Sequence, residues 1–192
     1  MRKLKSKIIF VLLLLFLIIW TFVIYNFSPE RIINSIGIEN SYFVVFIISL
    51  FGGISILFPI PYYIFVMTFA AGGSNPLLLG IFAGVGLTLG DSTSYLFGRH
   101  GGKIIPNRYN KISKNILNRL VSYPEWLRAS IILLWGSIVP LPSDVLTIPL
   151  GLMGYSYKKL IIPLGIGHII FNTLIAFAGY YGISFILQLL LS

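Results

Sequence analysis

The chain has 192 residues, of which 57% are hydrophobic and 10% charged, with a mean hydropathy of +0.93. A soluble domain carries about 25% charged residues, so a chain this apolar cannot hide its surface from water, and the solvent that fits is lipid. Cysteine is absent, which excludes disulfides, thiolate metal sites and cysteine nucleophiles.

The net charge of +9 is informative through its placement. Arg2, Lys3, Lys5 and Lys7 precede the first apolar run, and a second group of cations extends from Arg99 to Arg119 between apolar segments. Cations flanking spans on one side mark the cytoplasmic face and meet anionic headgroups. The expected partners are therefore membrane lipids, with anionic headgroups at the basic loop 98–128, and not nucleic acid. A homo-oligomer stays open.

Ile8 to Tyr25 is apolar over about 18 residues, the minimum for a spanning helix. Its length, and the lack of a small-residue cleavage site in Trp20–Tyr25, favour an uncleaved first span over a signal peptide. Asn26 to Asn40 is expected to be a short polar connection on the outer side. Ser41 to Ala71 is apolar but is broken by Pro59 and Pro61, which remove backbone donors and exclude helical geometry. A kinked span and a re-entrant hairpin both fit that pattern. Leu77 to Phe97 must return the basic loop to the cytoplasm, so the hairpin is the expectation. Within the loop, Tyr109 to Val121 carries Ile112, Ile116, Leu117 and Leu120 at helical spacing, as an interfacial amphipathic helix or a solvated connector would. Ala129 to Tyr157 repeats the broken pattern around Pro140 and Pro142. Leu160 to Leu191 is a last long span, or a span with a tail bent at Gly179–Gly182.

An offset of 81 residues aligns the two halves without gaps. Pro59 falls on Pro140, Pro61 on Pro142, Gly73 on Gly154, Gly84 on Gly165, Gly86 on Gly167, Gly98 on Gly179, and Asp91–Ser92 on Asn172–Thr173. An odd number of crossings between the halves would orient them oppositely. Inverted repeats with broken helices meeting at mid-membrane are the architecture of secondary transporters; proline kinks serving only packing are the alternative. The expected fold is an all-α polytopic integral membrane protein, an inverted repeat of two opposed re-entrant helical hairpins plus about three full spans. It divides into an N-terminal span and outer connection (1–40), the repeat domain (41–182) and the apolar end of the last helix (183–192).

Asp91 is the leading candidate site residue, since an intramembrane carboxylate costs about 2.5–3.5 kcal/mol. Ser94 and Tyr95 share its helical face and could bond it. A proton or cation site and an interhelical anchor are both open readings. Asp144 follows the second proline pair and could cap the second arm, join a transport site, or do both. His168 and Asn172 lie four apart on the last span, as a proton relay or as a buried interhelical bond. Arg99 could pair with Asp91 or bind a lipid headgroup, and Arg128 sits in a similar position. Both also fit as plain topology anchors. Gly80, Gly84, Gly86 and Gly90 suit close helix packing. No catalytic constellation, metal site or cofactor motif is present, and an enzyme is not expected.

Gly90–Asp91–Ser92–Thr93–Ser94–Tyr95–Leu96–Phe97–Gly98–Arg99–His100–Gly101–Gly102 resembles the G-D-x-x-x-Y-x-x-G-R-x-x-G signature of the DedA (VTT-domain, SNARE-associated Golgi protein) family. Ile138–Asp144 with Gly151–Gly154 resembles that family's second hairpin, nearest its YqaA-like branch. The likeness covers roughly Ser41 to Gly182. It implies two opposed re-entrant hairpins and a lipid flippase or scramblase, in some members driven by protons, in the plasma membrane of a prokaryote. Family members carry a Glu where this chain has Tyr62–Tyr63. They carry arginines where it has Ser137 and Ser143, and these charges are implicated in proton coupling and headgroup binding. A lipid flippase or scramblase-like transporter with a polar cavity between hairpins is the first expectation. A proton-coupled solute or ion carrier and a membrane assembly factor are the alternatives.

Overall fold

Glycine and proline punctuate the apolar chain into helices of very unequal length. The computed structural model describes residues 28–54, 61–100, 119–120, 122–138 and 142–191, with residues 15, 18, 19, 22 and 26; side chains are described as far as 182. Among these, seven helices and no strands occur: α1 (Pro29–Ile36), α2 (Ile38–Gly53), α3 (Tyr63–Ala71), α4 (Pro76–His100), α5 (Glu125–Ile138), α6 (Asp144–Leu152) and α7 (Tyr157–Leu191).

Among the described residues, α4 and α7 are long and apolar enough to cross a membrane, or three elements if the bent pair α1–α2 counts as one span. At 1.5 Å per residue α4 reaches about 37 Å, against a hydrocarbon core of about 30 Å. The nine-residue helices α3 and α6 reach about 14 Å, less than half of it. The expected first span lies mostly outside the described residues; of it, Leu15, Ile18, Ile19 and Phe22 are helical and exposed. The breaks at Pro59 and Pro140 and the amphipathic stretch 109–118 also lie outside them. Pro61 and Pro142 stand just before α3 and α6, with their carbonyls accepting from Ile64 and Val145.

One expectation is corrected. The connection from Asn26 to Asn40 contains α1, started by Ser28 as N-cap and Pro29 in the first turn, an arrangement that favours helix. The chain then turns by 97° at Gly37 into α2. The last helix runs without a break from Tyr157 through Gly179–Gly182 to Leu191, which agrees with the first of the two alternatives, a single long span.

α4 and α7 pack on each other as the central pair. Around them α2 lies on α4 and α5 on α7, whereas α3 crosses to α7 and α6 crosses to α4. The bounds of α3 and α6 differ by 81 residues at both ends, as do the first residues of α4 and α7. The turns after α3 and α6 match too. Gly73 and Gly154 take positive φ (99° and 71°), and Ser74 and Tyr155 donate to Phe69 and Leu150 five residues back. A side chain there would be strained, so glycine is the residue that ends each arm cleanly.

Small residues make the crossings close, as at helix contacts in lipid. On α4, Gly80 and Gly84 meet Thr173 and Ile169 of α7, while Gly86 and Gly90 meet α2 at Phe46 and Gly53. Gly98 of α4 abuts Ile148 of α6, and Gly179 of α7 abuts Met67 of α3. Large apolar side chains point the other way. Leu78, Phe82, Val85, Leu89 and Leu96 of α4 and Ile162, Ile166, Ile170 and Leu174 of α7 are exposed, whereas Asp91, Ser94, His168 and Asn172 are buried. A protein that hides its polar groups and shows its leucines is built for hydrocarbon, and the chain is an integral membrane protein. At one end, Lys159 donates to Glu125 (2.9 Å, both exposed). That hydrogen bond, with the ammonium charge, holds the Glu125 carboxyl below the usual range.

Candidate functional site

Two buried titratable groups of the spans meet. Asp91 of α4 and His168 of α7 are 1% and 3% exposed, with His168 Nε2 3.5 Å from Asp91 Oδ2. Two hydroxyls complete the cluster. Thr88 Oγ1 lies 3.3 Å from His168 Nδ1, Ser143 Oγ lies 3.2 Å from Nε2, and Ser143 is also within hydrogen-bonding reach of the Asp91 carboxyl group.

Proton accounting fixes the tautomer. Thr88 donates its own hydrogen to the Gly84 carbonyl at 2.6 Å, so its oxygen is left to accept from His168 Nδ1–H. Nε2 then carries the lone pair, which accepts from the Ser143 hydroxyl. Asp91 Oδ2, which makes no hydrogen bond of its own, faces that same Nε2. One proton added to the cluster fits between them and turns the contact into a charge-assisted hydrogen bond. Thr88→Val keeps the shape of the side chain and removes the acceptor, leaving Nδ1–H orphaned. The expected cost is about 1–3 kcal/mol, read as lower thermal stability of the detergent-solubilised protein.

Asp144 lies close enough to Asp91 for their charges to repel. Asp144 is the first residue of α6 and not its cap; Ser143 holds the cap position, makes no capping bond, and turns its hydroxyl to His168. On the other side, Tyr62 holds the cap position of α3, makes no capping bond, and sets its phenol against the Asn172 carboxamide, whose Nδ2 donates to the His168 carbonyl at 2.8 Å. The offset of 81 carries Tyr62 onto Ser143 and Asp91 onto Asn172. Each short helix thus begins at a hydroxyl that reaches the acid or amide of the opposite half's span. Tyr62, Ser143 and Thr88 were missed as site residues. The signal for the first two was their shared position directly after Pro61 and Pro142.

Tyr95 and Arg99 lie elsewhere. Tyr95 does not bond Asp91: its hydroxyl donates to the Tyr155 carbonyl at 2.6 Å and accepts from Arg99 Nη1 at 3.0 Å. Arg99 therefore bonds Tyr95 and not Asp91, one of the partners its position left open. The phenol is long enough to reach past its own helix to the α6–α7 turn, where a buried carbonyl waits. Ser94 is buried without a hydrogen bond. Arg128 is half-buried in the first turn of α5 near Glu125, its Nε making no hydrogen bond, and it joins neither group. Among the described residues no cluster of His, Cys, Asp and Glu has the make-up of a metal site.

A family model, the VTT domain, matches residues 58–181. That interval runs from the first proline pair into α7 and holds every residue of the cluster. No curated protein and no solved structure matches the chain. With well over half its length matched, the chain belongs to the VTT-domain (DedA) family of membrane proteins.

Proposed function

We propose that this protein is a lipid transporter of the flippase or scramblase type, in which a polar headgroup passes where α3 and α6 begin. The observation that carries the reading is the convergence of two half-length helices, N-terminus first, on buried polar residues of the two central spans. Helix N-termini carry partial positive charge and, at mid-membrane, favour anionic groups of a substrate. In this reading 41–182 is an inverted repeat, and the broken units α2–α3 and α5–α6 are opposed re-entrant hairpins. The matching element bounds support it, as do the exchanged contacts Gly98–Ile148 and Gly179–Met67. The N-terminus and loop 98–128 then face the cytoplasm of a prokaryotic cell, and the first span enters from that side. The cluster is closed to solvent, so the conformation described is a sealed one and passage requires the helix starts to part.

A second reading, proton-coupled movement of a small solute or ion, is favoured by the Asp91–His168 contact. One experiment separates them. The protein is reconstituted in phosphatidylcholine vesicles holding a labelled phospholipid and a trapped pH dye. Leaflet exchange at least about tenfold faster than in empty vesicles, a barrier lower by about 1.4 kcal/mol, is the expected result. Exchange no faster than in empty vesicles overturns the lipid reading. Proton flux on addition of solute, without exchange, supports the carrier; neither signal leaves an assembly role.

A further inference from the structure

A second polar site lies at the end of α4, eight residues beyond Asp91 and therefore about 12 Å along the helix axis. It is an open cleft of about 510 Å³, lined by Arg99 and His100 from α4, Ser156 and Tyr157 from the start of α7, and Leu96. We propose that this cleft binds a phosphate group, carried by a lipid headgroup or as the free anion.

The guanidinium is held, not loose. Arg99 Nη1 donates to the Tyr95 hydroxyl, whose own proton is committed to the buried Tyr155 carbonyl. The rings of Tyr95 and Tyr157 pack at 5.3 Å, and the Tyr157 hydroxyl donates to Ser92 Oγ at 2.8 Å, so the floor of the cleft is fixed. Arg99 itself is exposed, and no carboxylate pairs with it among the described residues. Its remaining N–H groups form a planar fork suited to phosphate. His100 places Nδ1 against its own helix at the Leu96 carbonyl, 3.1 Å away, which turns Nε2 outward. Ser156 and Tyr157 stand at the start of α7, where the first-turn N–H groups have no acceptor within their helix. Leu96 and Tyr157 are half-exposed and give the cleft an apolar lip, which suits a phosphate with a hydrocarbon tail.

This inference does not rest on the transport reading, because binding can be measured without movement. The full chain is assembled into phosphatidylcholine nanodiscs and titrated calorimetrically with inorganic phosphate at constant ionic strength. In a second arm, nanodiscs containing phosphatidic acid are examined for retained lipid by native mass spectrometry. Binding of phosphate alone assigns a soluble anion, and retention of phosphatidic acid alone assigns a headgroup; either result supports the site. Arg99→Gln is expected to weaken binding at least about tenfold, with Arg99→Lys between it and the parent. Ser156 is exposed, so Ser156→Asp tests the cleft without disturbing the Tyr95 anchor. Its carboxylate should repel the anion and also weaken binding about tenfold or more. No binding in either arm, or unchanged affinity in Ser156→Asp, overturns the proposal.

Discussion

Gly90→Leu is expected to prevent the protein from folding in membranes, whereas Gly182→Ala leaves it intact. A Cβ at Gly90 would stand 2.7 Å from the Cα of Gly53 on α2, and one at Gly53 would stand 2.9 Å from the Cα of Gly90. Both obstacles are backbone, which cannot rotate away, so α2 and α4 must separate. Overpacking a close core contact costs about 1–3 kcal/mol, occasionally more, and here the whole α2–α4 interface shifts with it. At Gly182 an added Cβ meets nothing within 4 Å, and α7 is helical there. Alanine then gains helix propensity of up to about 1 kcal/mol. Yield of monodisperse protein and thermal unfolding in detergent check both outcomes. Equal behaviour of the two variants would show that the α2–α4 contact is looser than described. Gly98→Val and Gly179→Val should lose stability to a similar degree, because the added Cβ would stand 3.0 Å and 2.6 Å from the Cα atoms of Ile148 and Met67.

The second large effect is expected on activity. Asp91→Asn keeps the size of the side chain and gives α4 the residue type that α7 carries at Asn172. The fold should survive and even gain stability, since a carboxylate at membrane depth costs about 2.5–3.5 kcal/mol and its charge is also set against Asp144. Transport should fall at least about tenfold, because the variant can no longer close a charge-assisted bond to His168 Nε2. Higher stability with lost activity is the pattern of a functional residue held at a cost. Lower stability with full activity would instead make Asp91 an interhelical anchor. Exchange in reconstituted vesicles and unfolding of the same preparation give the two readings together.

Much of the architecture was legible because its causes are local. Proline removes a donor wherever it stands, glycine ends an arm wherever φ turns positive, and an apolar run of spanning length needs no partner to be recognised. So Gly73 and Gly154 were readable as turns, Pro61 and Pro142 as breaks, and α4 and α7 as spans. Asp91, His168 and Asn172 were legible as candidates because a polar group at membrane depth is costly in any fold. The helix α1 was missed because a short polar segment with Glu30 and Arg31 carries no apolar run, and its start depends on the Ser28–Pro29 cap.

Partnership was not legible. Tyr95 lies one turn from Asp91 and four residues from Arg99, and spacing alone allowed bonds to either. Its place between Arg99 and the Tyr155 carbonyl depends on how α6 crosses α4 at Gly98 and Gly151. His168 meets Asp91 because Gly84 and Gly165 let α4 and α7 approach with those faces inward. Tyr62 and Ser143 enter the cluster because α3 and α6 each cross to the span of the other half. The sequence by itself determined a lipid-solvated helical chain with its breaks and turns in place, through hydropathy, proline and glycine, which act within a few residues. Only the tertiary structure decided which polar groups meet, because that depends on the rotation and crossing of helices far apart in the chain.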